Sequence, residues 1–147
     1  MIPPAAGFSL DAGAGERLRF SGAEFLVRAS ADTTGGGFTE IEEIDALDTP
    51  LHVHEREDEL FYVLEGAHVF RIGDDEHRIG PGGVAFGPRG VPHAHRRAVP
   101  RTGRFLTMTF PAGFEGFFRE LAEADRAGGA GPEDYAQASQ RYGITWL

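Results

Sequence analysis

The stretch that most constrains this chain runs from Pro50 to Gly66 and reads PLHVHEREDELFYVLEG. His52 and His54 stand two residues apart. In an extended strand residues i and i+2 share a face, so both imidazoles can be presented to one side. The acidic run from Glu55 to Glu59 turns the chain and sets Glu59 at the start of the next apolar segment. Two imidazoles and a carboxylate converging across a hairpin look like three sides of a metal site. The rest of the chain must supply a fourth donor and a barrel to hold the set.

The neighbouring segments read as short strands. ERLRF (16–20), AEFLVRAS (23–30), Phe38 to Asp45, AHVFRI (67–72), Val84–Phe86, a segment from His93 and Arg104–Phe110 are each bounded by glycine- or proline-rich turns. DTTGGG (32–37) reads as a flexible loop, GDDEHR (73–78) as a hairpin signal by its Gly-Asp-Asp turn, and Thr102–Gly103 as the turn before the last strand. The strand at 38–45 places Phe38, Glu40, Glu42 and Ile44 on one side. Thr39, Ile41, Glu43 and Asp45 fall on the other, and both faces are mixed, so the pattern does not orient it. From Phe114 the period changes: Phe114, Phe117, Phe118 and Leu121 mark one stripe of a helix to about Arg126. Pro132-Glu133-Asp134 opens a second helix, and Gly143 stops it. ITWL finishes as a short docked strand or coil.

The expected organisation is a single domain over 1–147. It has a loose Pro/Ala/Gly-rich arm at 1–15, an all-β barrel at 16–110 and a helical tail at 113–143. No internal repeat or linker divides it.

Composition removes several classes of function. The net charge of −9 opposes nucleic-acid binding, which needs clustered positive charge. All fourteen basic residues are arginine, so Schiff-base chemistry and a P-loop lysine are excluded. With no cysteine there are no disulfides, thiolate ligands or cysteine nucleophiles. No apolar run is long enough to span a membrane, and the N-terminus lacks a signal-peptide pattern. The expected location is the cytoplasm.

A second glycine-rich block, GPGGVAFGPRGVPHAHRR (80–97), places Gly82, Pro88, Gly90 and His93 as G-x5-P-x-G-x2-H. The opening stretch reads H-x-H-x4-E-x6-G. In this order, one hairpin apart, the two motifs resemble those of the cupin superfamily, over about residues 38–110. The flanking layout is similar to small bacterial cupins of the quercetin-dioxygenase-like type. The resemblance implies a double-stranded β-helix, a jelly-roll-like barrel, with His52, His54, Glu59 and His93 as ligands of a divalent transition metal. Iron, manganese, nickel, cobalt, copper and zinc all suit that donor set. The plainer reading of the same residues is a half-exposed polar sheet face without metal.

Three neutral imidazoles and one carboxylate leave about one positive charge on a divalent ion, which favours an anionic enol or phenol oxygen. The chain departs from the family pattern at Arg97, where asparagine is common, and at Gly83, where an acidic residue is frequent. Strand parity sets Phe61 beside Glu59 and brings Phe70 and Phe86 near on adjacent strands. His95 is placed as an outer partner of His93 or as pocket lining, and Arg97 either reaches the pocket or is solvated at a strand end. His68 reads as an interior, hydrogen-bonded histidine and His77 as exposed. The phenylalanine stripe from Phe114 reads as packing for the helix.

The expected activity is a metal-dependent dioxygenase on an enolic or phenolic small molecule, with Glu59 as proton acceptor. The alternatives are a metal-dependent isomerase, epimerase or lyase, or a non-catalytic small-molecule-binding module. A homodimer is implied by the resemblance alone.

Overall fold

The computed structural model describes residues 5–99 and 103–147. Met1–Pro4 of the expected arm and Thr102 of the expected turn lie outside them. Among the described residues the strands are β1 (Glu16–Phe20), β2 (Ala23–Ala29), β3 (Thr39–Ile44), β4 (Thr49–His54), β5 (Asp58–Glu65), β6 (His68–Ile72), β7 (Asp75–Ile79), β8 (Val84–Gly87), β9 (His93–Arg97), β10 (Arg104–Phe110) and β11 (Ile144–Trp146). The helices are α1 (Ala31–Thr34), α2 (Glu115–Arg126) and α3 (Pro132–Tyr142).

Two antiparallel sheets form the molecule, in the orders β1-β2-β3-β10-β5-β8 and β11-β4-β9-β6-β7. The fold is all-β with short C-terminal helices, as the strand pattern predicts. The central strands β5 and β10 alternate in burial because one face is interior and the other is nearer water. Thus Glu59, Phe61 and Val63 of β5 are buried, while Tyr62 between them is 37% exposed.

One local expectation changes. The loop at 32–37 overlaps the helical turn α1, whose N-cap Ser30 donates its backbone N–H to Thr33 Oγ1 at 2.9 Å. The hairpin turn falls at the Gly-Asp-Asp signal: Gly73 takes φ +60°, and β7 begins at Asp75. The described part of the arm from 5 to 13 is exposed, and Arg28 reaches it by donating to the Ala14 carbonyl at 3.2 Å.

Apolar packing falls into two clusters. Phe61, Val63, Phe70, Ala85 and Phe105 fill the space between the sheets. Leu18, Phe20, Phe25, Phe114, Phe117, Phe118 and Leu121 join the β1–β2 hairpin to α2 and α3. Glu115 anchors that junction: its carboxylate accepts from the Ala31 N–H at 2.7 Å, the Gly113 N–H at 2.9 Å and the Thr39 hydroxyl. Helix α3 ends at Gly143, whose φ of +71° is the left-handed C-cap conformation. The chain then enters β11 alongside the histidine strand β4. No helix among the described residues is long and apolar enough to cross a membrane.

Candidate metal centre

The four donors predicted from the two motifs converge. His52 and His54 come from β4, Glu59 from β5 across the acidic turn, and His93 from β9, which pairs with β4 so that His52 faces His93. One potential ligand atom from each lies within 4.8 Å of the others, and all four residues are buried. His54 Nε2 is 3.3 Å from Glu59 Oε2, and His93 Nε2 is hydrogen-bonded to the same oxygen.

The outer nitrogens orient this set. His52 Nδ1 lies 2.7 Å from the Pro50 carbonyl, His93 Nδ1 3.2 Å from the Val91 carbonyl, and His54 Nδ1 3.4 Å from Glu57 Oε2. Each acceptor favours a ring proton on Nδ1, so that Nε2 is the atom turned to the centre, as metal-bound histidines require. Gly87 packs against one ring, where a Cβ would sit in contact 3.4 Å from His93 Cγ and Nδ1. Thr109, across the ladder from Glu59, has a buried hydroxyl without a hydrogen-bond partner among the described residues. The space beside Glu59 is therefore polar and incompletely satisfied by the protein. Three imidazole nitrogens, one carboxylate and a neighbouring unpartnered hydroxyl fit a divalent transition metal.

Charge placement follows from burial. Burial alone would raise the Glu59 carboxyl, but the nearby His54, the hydrogen bond with His93 and the charges of His93 and His52 hold it down at about 2. Burial depresses His52 to about 4, with the neighbouring His93 acting in the same direction. Burial opposes protonation of His93, yet its bond to Glu59 raises it above the ordinary histidine value. The cluster thus carries a carboxylate at neutral pH.

His52, His54 and Glu59 form part of the wall of a cavity of about 550 Å³. Its far wall is aromatic: Phe20 and Phe25 from the β1–β2 hairpin, Phe114, Phe117 and Phe118 from the start of α2, and Tyr135 from α3. The phenylalanine stripe packs the helix against the barrel, as predicted, and its ring faces also line the cavity. Trp146 of β11 closes one side, its ring centroid 5.0 Å from that of His52 and its Nε1–H donating to Ser139 Oγ at 2.7 Å.

Of the pocket residues expected from parity, Phe61 and His95 line the cavity. His95 is held neutral by burial, down to about 3. Phe70 is fully buried and stacks on Phe61 at 4.8 Å between ring centroids, so it backs the wall. Phe86 requires correction, and of the two readings of Arg97 the solvated strand end holds and the pocket does not. β8 pairs with β5 so that Phe86 lies across from Leu60 on the outer face, and it is 51% exposed. Arg97 shares parity with the buried His93 and His95, but it ends β9 and is solvated, its backbone N–H donating to Asp48 Oδ1 at 2.9 Å.

Sequence reasoning missed three other residues. Glu57, read as part of a turn, is buried beside His54. Trp146 is placed by pairing with β4. Glu43 lines the cavity, buried, with Thr107 donating its hydroxyl to Oε2, and burial pushes its carboxyl up to about 8. Its parity with Ile41 was the available signal.

A family model described as "Cupin domain" matches residues 41–109, which include all four donors. Among solved structures, KdgF from Halomonas sp. is similar at 18% identity, covering 76% of this chain and 99% of that one, with a TM-score of 0.64. An RmlC-like cupin from Shewanella frigidimarina gives 17%, 76%, 96% and 0.63 for the same quantities. The polyketide cyclase RemF from Streptomyces resistomycificus gives 27%, 71%, 80% and 0.58. No curated protein matches the chain.

Proposed function

The chain belongs to the cupin superfamily, and from that premise we propose that it is a metal-dependent dioxygenase acting on a flat, largely apolar enolic or phenolic molecule. The observation that carries this reading is the convergence of four buried donors, of which His52, His54 and Glu59 line an aromatic cavity of about 550 Å³. His52, His54, Glu59 and His93 would hold the ion. A divalent metal there would supply Lewis acidity, favouring the deprotonated form of a substrate oxygen.

The chain's own residues do the rest. Phe20, Phe25, Phe114, Phe117 and Phe118 take the apolar body of the substrate and exclude water from it. Glu59, ionised at neutral pH, would accept the enol or phenol proton on its carboxylate. Pro50, Glu57 and Val91 keep the three rings in orientation while this happens.

A second reading is a proton-transfer enzyme, an isomerase, cyclase or lyase, at the same centre. It is favoured by the second carboxyl in the cavity, Glu43, whose proton affinity is driven apart from that of Glu59. The likeness to RemF, described as a polyketide cyclase, supports the same side. Elemental analysis of untagged protein, followed by oxygen-electrode assays over flavonols such as quercetin and other enolisable diones, separates the readings. The dioxygenase reading expects substrate loss matched by oxygen uptake. Turnover that persists unchanged without oxygen overturns it in favour of proton transfer.

We further propose a homodimer through the outer face of β5, β8 and β10, where Tyr62, Val84 and Phe86 remain exposed. Phe86→Glu should then convert the dimer to a monomer in light scattering. An unchanged mass would remove this face from consideration.

A further inference from the structure

Glu43 is a carboxyl without a structural partner of opposite charge. It faces inward from β3, in register with Phe105 of β10 and Phe25 of β2. The guanidinium groups near its strand are engaged elsewhere: Arg28 with Glu40 at 3.4 Å and Arg104 with Glu42 at 2.8 Å. The titratable groups lining the same cavity are Glu59 from β5, His52 and His54 from β4, His95 from β9, Tyr135 from α3 and Asp48 at the start of β4. No arginine is among the described residues that line it.

Burial, with Glu59 adding repulsion, therefore favours the neutral acid at pH 7, against the opposing pull of the Thr107 bond. Thr107 donates to Oε2, so Oε2 is an acceptor and the acid proton belongs on Oε1. The hydrogen bond from Thr107 engages the carboxyl at Oε2, which leaves Oε1 to the cavity that the residue lines. Along the sheet the row Glu43–Phe105–Val63 lies two inward-facing rows from Thr39–Thr109–Glu59. The donor is thus set apart from the histidine cluster, across a wall that includes Phe61.

We propose that Glu43 is a ligand-contacting residue, whose Oε1–H donates a hydrogen bond to a carbonyl or hydroxyl oxygen at the end of the substrate remote from His52, His54, Glu59 and His93. This rests on reading the cavity as the substrate site, and it narrows the substrate class. The ligand carries two oxygens separated by a flat apolar body: one acidic enough to be an enolate or phenolate, the other a neutral acceptor.

The test uses zinc-loaded full-length protein and two fragments of nearly equal shape, acetophenone, which has an acceptor oxygen, and α-methylstyrene, which does not. Binding is read by ligand-observed NMR at pH 6.5, with Glu43→Gln and Glu43→Leu variants checked for folding by circular dichroism. In the wild type acetophenone should bind roughly five-fold more tightly than α-methylstyrene, as one net hydrogen bond would give. The Gln variant, still a donor, should keep most of that preference, and the Leu variant should lose it. In the wild type the preference should fade as pH rises past about 8.

An equal preference in the Leu variant overturns the proposal. So does no preference in the wild type, including failure of acetophenone to bind. Should the Leu variant not fold, a wild-type preference that is unchanged at pH 9.5 overturns it equally. The dioxygenase reading fails separately, on oxygen dependence, and leaves these binding ratios unaffected.

Discussion

Replacing Glu43 with glutamine should change how the stability of this protein depends on pH. The side chain is buried, and its carboxyl titrates at about 8 in the folded chain against 4.5 for a free glutamate. Below pH 4.5 the acid is neutral in both states and ionisation contributes nothing. Between 4.5 and 8 the unfolded chain has released a proton that the folded chain retains, so stability falls as pH rises. The slope is about 1.4 kcal/mol per pH unit, and the full span of the shift corresponds to about 5 kcal/mol.

Across two of those units, from pH 5.5 to 7.5, wild type should lose about 2.7 kcal/mol relative to Glu43→Gln. For a chain of this size that is roughly 5–10 °C in Tm. Glutamine is neutral throughout and still accepts from Thr107, so other titrations, including those of the histidines, cancel in the difference. The assay is urea unfolding of metal-free wild type and variant at each pH, followed by Trp146 fluorescence. Parallel curves, differing by less than about 0.5 kcal/mol over the window, would refute the reasoning and mean that Glu43 ionises near its ordinary value.

Metal loading should raise Tm by roughly 5–10 °C at a free-ion concentration about a hundred times Kd. EDTA should reverse the shift, and His54→Ala or His93→Ala should abolish it. Because the sole tryptophan packs 5.0 Å from the His52 ring, copper titration should quench its emission with a stoichiometry of about one ion. Glu57→Ala, which removes the acceptor behind His54, should weaken metal affinity about 10- to 100-fold with little change in the circular dichroism spectrum. Undiminished affinity by competition with a chelator would count against that orienting role. Glu115→Gln should destabilise by about 1–3 kcal/mol in thermal unfolding at neutral pH. Burial opposes ionisation of Glu115, but its Thr39, Ala31 and Gly113 hydrogen bonds depress its carboxyl below the usual value. The stability it contributes is therefore present above the unfolded value and lost as pH falls through the folded one, and the variant's acid limb should be flatter.

Local spacing was enough to find three of the convergent donors, and the resemblance of the second glycine-rich block to the family motif added His93. His52 and His54 share a strand face whatever the strand packs against, and the acidic turn brings Glu59 back beside them. The change to a helical period at Phe114 and the Pro132 and Gly143 signals likewise need no tertiary context, which is why α2 and α3 appear nearly where predicted. Parity within one strand does not say which face of that strand is inside, however. The pairing of β8 with β5 turned Phe86 outward, and the end of the barrel left Arg97 in water.

The same limit hid Glu43, because an alternating strand with glutamates on both faces is oriented only by its neighbours β2 and β10. Glu57 and Trp146 became part of the site through contacts with His54 and His52 that no local pattern encodes. The cavity itself belongs to no single element. It is the space between two sheets, bounded by rings from Phe20 and Phe118, which are nearly a hundred residues apart in the chain and meet only when the β1–β2 hairpin and α2 pack together. Side-chain direction along a strand is a local property of the backbone, whereas burial and enclosure depend on which distant surfaces come together.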